Sequence, residues 1–228
     1  MQPGTLYIVA TPIGNLEDIT LRALETLKSV DVIYAEDTRH TGLLLAHFGI
    51  KKPLHSYHHH SQPHIVFDIQ QRLEKGDSIA YVTDAGTPGI ADPVGKLVEY
   101  IRKDSQATIV PIPGPSAITA LLSVAGLPAN SYWFAGYVPT KKGRQTFIKK
   151  VLAFEETVVV FETAPRIQKF FDQLTEFGGE QRYLVVGREL TKKFEQIVAG
   201  FPPQLKADFS TPKGEFVVVL APKNWQKS

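Results

Sequence analysis

The 228-residue chain contains no cysteine, which excludes a disulfide framework, a thiolate nucleophile and any cysteine-containing zinc site. It has no apolar run near the roughly 20 residues that a membrane-spanning helix needs. Met1-Gln2-Pro3-Gly4 lacks the basic-then-apolar layout of a secretory signal, so a cytosolic protein without a membrane partner is expected. Internal repeats and low-complexity segments are absent, and the composition is neither that of a disordered chain nor collagen-like. No Gly-x-Gly-x-x-Gly follows the first strand pattern, and no Gly-x-x-x-x-Gly-Lys-Ser/Thr occurs anywhere. A standard dinucleotide or ATP phosphate cradle is therefore not expected. An adenosine-type ligand without phosphate stays open, because strand-end carboxylates accept ribose hydroxyls and backbone groups read an adenine edge.

What is present is an ordinary globular balance, 43% hydrophobic and 21% charged, enough for one large domain or two compact ones of about 110 residues. The net charge of +2 hides an asymmetry. Residues 1–113 carry 10 basic and 13 acidic side chains, whereas residues 114–228 carry 15 and 10. A basic second half permits an anionic partner, although Lys141, Lys142, Lys149 and Lys150 equally fit an exposed helix face.

The first half alternates short β-branched runs with helical patterns, the rhythm of a parallel sheet. Leu6–Ala10 and Asp31–Ala35 read as strands, and Ser78–Thr83 and Thr108–Ile112 complete a five-strand set in which four strands have residue ranges. Helices are expected at Ile19–Val30, at His40–Phe48 and Ile65–Leu73, closed by Gly49 and Gly76, and at Val94–Arg102 with Pro93 in the first helical position. Pro111-Ile112-Pro113-Gly114-Pro115 is the densest cluster of breakers and sets the expected domain boundary, 1–113 and 114–228. Beyond it come a helix at Ser116–Val124 and strands at Tyr132–Ala135, Thr157–Glu162, Tyr183–Gly187, Glu195–Ala199 and Phe216–Leu220. Helices at Arg144–Ala153 and Arg166–Phe177 separate only some of them, so this second sheet is expected to be mixed. The fold class is therefore α/β, two α/β domains with a parallel five-stranded sheet first and a mixed sheet second.

In open parallel sheets, ligands bind beyond the carboxyl ends of the strands. Here those ends are rich in Gly, Pro and carboxylates: Thr11-Pro12-Ile13-Gly14-Asn15, Glu36-Asp37-Thr38-Arg39-His40, Asp84 to Pro93, and Pro113-Gly114-Pro115-Ser116-Ala117. Small residues let a ligand approach backbone amides; turn formation alone leaves Asp37, Asp84 and Asp92 unexplained. All seven His lie between His40 and His64, three of them consecutive as His58-His59-His60. Three in a row do not share one face of an extended segment, and no second cluster completes a coordination shell, so no metal is expected. In the second half Arg166 and Arg188 stand at strand ends with Glu162 and Glu189 nearby, a pattern that fits either phosphate binding or structural ion pairs.

Taken in order, these segments resemble the tetrapyrrole methylase superfamily, in its branch of 2′-O-ribose methyltransferases acting on a cytidine of small-subunit ribosomal RNA. The residues that carry the resemblance are Leu6-Tyr7-Ile8-Val9-Ala10-Thr11-Pro12-Ile13-Gly14-Asn15-Leu16, Ala35-Glu36-Asp37-Thr38-Arg39-His40-Thr41, Asp84-Ala85-Gly86-Thr87-Pro88, Pro113-Gly114-Pro115-Ser116-Ala117, Arg188-Glu189-Leu190-Thr191-Lys192 and Lys213-Gly214-Glu215-Phe216. The resemblance implies a homodimer and S-adenosyl-L-methionine bound in the cleft between two domains. It implies donor contacts from Pro12, Gly14, Asp84, Ala85, Gly86, Thr87, Pro88, Asp92, Pro113, Gly114, Pro115, Ser116 and Ala117, with Gly214 and Glu215 nearby. It places the RNA at Asp37, Thr38, Arg39, Arg166 and Arg188. Asp37, Glu36, Glu162 and His58 are the candidate bases for the ribose hydroxyl, with Asp37 foremost because the family arrangement sets it facing the cleft.

The chain departs from the pattern at His58-His59-His60-Ser61-Gln62, where the family usually has His-Glu-His-Asn-Glu. It also ends at Ser228, where many relatives continue into a helical tail, so a tail contribution to RNA binding is not expected. Two other functions remain open at this level: methylation of a tetrapyrrole or other small acceptor on the same fold, and an RNA-binding module without chemistry.

Overall fold

The computed structural model describes residues 2–58 and 63–226, so that of the His58–Gln62 departure only His58 falls among the described residues. The chain forms two compact units, Met1–Ser116 and Ala117–Ser228, dividing three residues beyond Pro113. Among the described residues no helix is long and apolar enough to cross a membrane.

In the first unit five strands, β1 (Thr5–Val9), β2 (Val32–Ala35), β3 (Leu54–Ser56), β4 (Ser78–Val82) and β5 (Thr108–Ile112), form one sheet in the order β3-β2-β4-β1-β5. Every pairing is parallel. Four helices flank it: α1 (Leu21–Ser29), α2 (Thr38–His47), α3 (Pro63–Glu74) and α4 (Val94–Asp104). The apolar residues of α1 and α2, Ala23, Leu27, Leu44 and Leu45, pack with Val9, Ile33 and Val82 on one face. Those of α3 and α4, Ile69, Leu73, Leu97 and Ile101, pack with Leu6, Tyr34 and Tyr81 on the other. With both faces covered, the central strands bury nearly every side chain, which is why they read as continuous β-branched runs.

β1 and β4 are neighbours whose following helices lie on opposite faces, so the chain reverses its winding between them. The crevice outside their carboxyl ends is the topological switch point, where doubly wound sheets bind ligands. All five strands being parallel, all their carboxyl ends meet at one edge.

The second unit opens with α5 (Ala117–Ala125) and builds a mixed sheet in the order β6-β7-β10-β8-β9 from β6 (Tyr132–Tyr137), β7 (Thr157–Thr163), β8 (Leu184–Arg188), β9 (Gln196–Gly200) and β10 (Glu215–Leu220). Only β6 and β7 run parallel. α6 (Arg144–Ala153), α7 (Ala164–Glu176) and α8 (Pro202–Asp208) cover one face with Ile148, Val151, Phe170, Phe171 and Leu205. α5 covers the other, where Leu121 lies 3.0 Å from the position a Cβ on Gly187 would take.

Several boundaries shift for local reasons. α1 starts at Leu21 because Leu16–Asp18 forms a separate 3₁₀ turn and Thr20 caps the helix, accepting from the Ala23 N–H at 3.1 Å. α2 starts earlier than expected, at Thr38, because Asp37 caps it. Pro93 occupies the cap position of α4 rather than its first helical position. β3 is only three residues long, too short for a period to register, and α8 is the helix that the sequence reading leaves out, its Pro202 and Pro203 suiting a first turn.

Candidate active site

The switch point is locked by backbone. Thr11 N–H donates to Gly86 O at 2.9 Å and Gly86 N–H donates back to Thr11 O at 3.0 Å, a two-way bridge from the end of β1 to the end of β4. Thr11 Oγ1 also reaches Thr83 O, and Thr87 Oγ1 donates to Pro115 O at 3.0 Å, which ties in the loop after β5. The segments expected to hold the donor in the first half, around Pro12 and Gly14, Asp84 to Pro88, and Pro113 to Ala117, are thus brought together, except that Ala117 already opens α5. Gly86 has φ +82°, and a Cβ there would meet Ile13 Cγ2 at 3.2 Å. Gly114 sits so close to β1 that a Cβ would lie 2.9 Å from Ala10 Cβ.

Asp92 closes the long loop after β4 on itself. Its carboxylate accepts the Gly89 N–H at 2.5 Å and the Val94 N–H at 2.9 Å, so both oxygens are engaged within their own turn. None of the residues in Thr11–Asn15, Asp84–Pro88 or Pro113–Ala117 is basic. The cradle therefore offers backbone groups, hydroxyls and one carboxylate, a donor set that suits an uncharged or cationic ligand and not a phosphate.

Three carboxylates cluster at the ends of β2 and β4, each in a different state. Asp37 takes the Arg39 backbone N–H at 2.8 Å and the Arg39 guanidinium at 3.1 and 2.7 Å. Those hydrogen bonds hold its carboxyl well below the usual carboxylate range. Glu36 accepts the Thr83 hydroxyl at 2.8 Å. Asp84 accepts the Asp37 backbone N–H at 3.0 Å through Oδ1. Its carboxyl is pushed up by partial burial and then by the charge of Glu36. Thr38 opens α2, and the Arg39 side chain is 90% exposed while folded back onto Asp37.

In the second unit Glu162 is fully buried at the end of β7. It binds Arg166 Nη2 at 2.7 Å and Arg144 Nη1 at 3.2 Å and accepts the Thr163 N–H at 2.8 Å. Arg166 spends its remaining nitrogens on Thr163 Oγ1 and Val138 O. Arg144, which the sequence reading does not single out, is buried at the start of α6 and also binds Gln173 Oε1 at 2.6 Å and Pro139 O at 2.9 Å. No spacing rule marks it, because its partners come from β7, α7 and the loop before α6.

Of the two readings left open for Arg188, an ion pair with Glu189 is not what forms. Glu189 binds Lys192 Nζ and the Glu215 N–H, both at 3.0 Å, while Arg188 donates to Lys213 O at 2.8 Å. Burial works to raise the Glu189 carboxyl, but these partners hold it below its ordinary value. Gly214, at φ +82°, lies where a Cβ would be 2.2 Å from Glu189 Oε1, and Glu215 binds Lys192 at 2.9 Å. Among the described residues no three His, Asp or Glu side chains are grouped as a metal site would need.

A doubly wound unit with a glycine-tight switch point free of basic side chains, followed in the chain by a mixed-sheet unit, defines the class: a two-unit α/β protein with a strand-end site for a ligand other than a phosphate. The chain belongs to the tetrapyrrole (corrin/porphyrin) methylases, whose family model matches residues 5–205. It is 44% identical over 222 residues to the ribosomal RNA small subunit methyltransferase I of Escherichia coli O157:H7, covering 95% of this chain and 77% of that protein. The Synechocystis protein of the same name is 44% identical over 221 residues, covering 96% and 79%. Among solved structures the chain is similar in fold to cobalt precorrin-4 methyltransferase (TM-score 0.70, 18% identity, 95% and 94% covered). Diphthine synthase is similar to the same degree (TM-score 0.70, 18% identity, 96% and 90% covered).

Proposed function

We propose that this chain is an S-adenosyl-L-methionine-dependent 2′-O-ribose methyltransferase acting on a cytidine of small-subunit ribosomal RNA, as RNA or in the assembled subunit. The 44% identity to ribosomal RNA methyltransferases across 95% of the chain carries the reading, and the locked switch point supports it. Pro12, Gly14, Ala85 to Pro88 and Pro113 to Ser116 are the residues we assign to the donor. Their lack of basic side chains suits a sulfonium ligand, and the backbone of these loops suits its adenosine. When bound, the donor supplies an electrophilic methyl group.

The chain's own task is to fix the ribose oxygen in line and to take its proton. Positioning alone supplies several kcal/mol, up to roughly 7–11, and a base adds about a hundredfold or more. Asp37 is a weak base because Arg39 already satisfies it, and Glu162 is sealed between two guanidinium groups. We therefore assign the proton to Asp84, whose Oδ1 is anchored by Asp37 and whose carboxyl is the one pushed upward. Arg39 and Arg188 are assigned to phosphates and Arg166 to bracing Glu162, while Gly214 and Glu215 brace Glu189. A homodimer belongs to the same reading, and a dimeric mass by light scattering at micromolar concentration is the expected result.

Calorimetry with S-adenosyl-L-methionine tests the donor site. One site per chain is expected, and Gly86→Val should lose binding, because a β-branched residue at φ +82° meets Ile13 and distorts the bridge to Thr11. Unchanged affinity in a folded Gly86→Val protein would put the donor elsewhere.

A further inference from the structure

The turn from β8 to β9 spans residues 189–195 and holds two non-glycine residues in the left-handed region, Glu189 at φ 50° and Thr191 at φ 63°. Such backbone is costly and persists where its surroundings over-determine it, often at functional sites. Here they do. Glu189 N–H donates to Glu215 O, Lys192 N–H to Glu189 O and Glu195 N–H to Lys192 O, all at 3.0 Å. The Glu195 carboxylate accepts the Thr191 N–H at 2.6 Å.

This rigid loop holds out a large aromatic side chain. Phe194 is 69% exposed, with the Lys193 ammonium 5.7 Å from its ring centroid. Ile197, on the edge strand β9 that follows the loop, is 41% exposed. The neighbouring acids are occupied within the loop: Glu189 and Glu215 hold Lys192, and Glu195 holds backbone. Among the described residues, Lys193 and Lys213 have no carboxylate partner, and Lys213 O anchors Arg188. The result is one preordered aromatic face beside Lys193, in a unit that also presents Lys213 and Arg188 at the base of the same loop, where β8 ends and β10 begins.

We propose that Phe194 is a stacking platform for a nucleobase of the single-stranded RNA acceptor, with Lys193, Lys213 and Arg188 on the adjoining phosphates. Every base presents a π face, and an aromatic ring interleaved with cations is how proteins grip single strands. A preordered loop gives up little conformational freedom on binding. Cations on this unit match a polyanion better than they match a second copy of the same basic surface. This inference rests on the reading that the acceptor is RNA.

The test uses the full chain, fluorescein-labelled oligocytidylate and small-subunit ribosomal RNA. Phe194→Ala should weaken RNA binding by roughly ten- to a hundredfold, with the salt slope and the affinity for S-adenosyl-L-methionine unchanged. Lys193→Ala and Lys213→Ala should each lower the salt slope by about 0.7. Phe194→Trp should restore binding, and its emission, above that of Trp133 and Trp225, should be quenched by RNA. Wild-type RNA affinity in Phe194→Ala overturns the proposal while leaving the RNA reading intact. A smaller mass by light scattering in Phe194→Ala overturns it in favour of a contact between copies. Failure of the unsubstituted chain to bind either RNA overturns both.

Discussion

Asp37 and Asp84 are joined by one hydrogen bond, and their surroundings drive their carboxyl groups in opposite directions. Asp37 is depressed, so its contribution to folding is present above the ordinary carboxylate value and is lost as pH falls through its lower native value. Asp84 is raised, so the native state holds its proton more tightly than the unfolded chain does. The group then costs stability as pH rises from its unfolded to its native value. A raised carboxyl is also the better proton acceptor, which makes activity and stability separable. Asp84→Asn keeps an oxygen for the Asp37 N–H and removes the charge beside Glu36. It should melt no lower than wild type at neutral pH while methyl transfer falls by about 10²- to 10⁴-fold. Asp37→Asn keeps a capping side chain on α2 and should retain far more activity. If single-turnover transfer survives Asp84→Asn and disappears in Asp37→Asn, the base has been assigned to the wrong strand end.

β7, α6 and α7 are braced by one carboxylate between two guanidinium groups, Arg144–Glu162–Arg166. Arg144→Ala leaves Glu162 to Arg166 alone and strips Gln173 Oε1 and Pro139 O of their donor; a buried group left unsatisfied costs about 1–3 kcal/mol, so the variant should lose unfolding free energy of that order or more, measured in urea. Glu162→Gln should likewise lower stability and leave methyl transfer in the folded fraction. Loss of transfer at full stability would instead make Glu162 the base. This brace was only half legible in the sequence. Glu162 and Arg166 stand four residues apart across a strand end and a helix start, a local spacing that can be read along the chain. Arg144 comes from the first turn of α6, eighteen residues before Glu162, a separation with no local spacing to read. The elements divide the same way. Long β-branched runs and amphipathic helices declared themselves, whereas β3, paired through only Leu54, His55 and Ser56, carries too few residues for a pattern. At the switch point, Gly, Pro and Asp after each strand marked the loops. The Thr11–Gly86 bridge could not be read, because backbone pairing leaves no residue-type signature. Nor could the partner of Glu189 be foreseen, since Arg188 and Lys192 both lie within three residues of it and the adjacent cation is not the one it binds.

For the whole molecule, the strand order β3-β2-β4-β1-β5 puts the reversal of winding between β1 and β4, and that one topological fact gathers loops scattered from Thr11 to Pro115. The mixed second unit contributes the basic excess and the preordered β8–β9 loop. The loops assigned to the donor lie on one unit and the basic excess on the other, as a methyltransferase with a polyanionic acceptor requires. The direct test is to incubate the protein with methyl-labelled S-adenosyl-L-methionine and with small-subunit ribosomal RNA or assembled subunits lacking the modification, then digest to nucleosides. Label is expected on the 2′-oxygen of cytidine, in proportion to active protein. Label on a tetrapyrrole offered in parallel, with none on ribosomal RNA in either form, would contradict it.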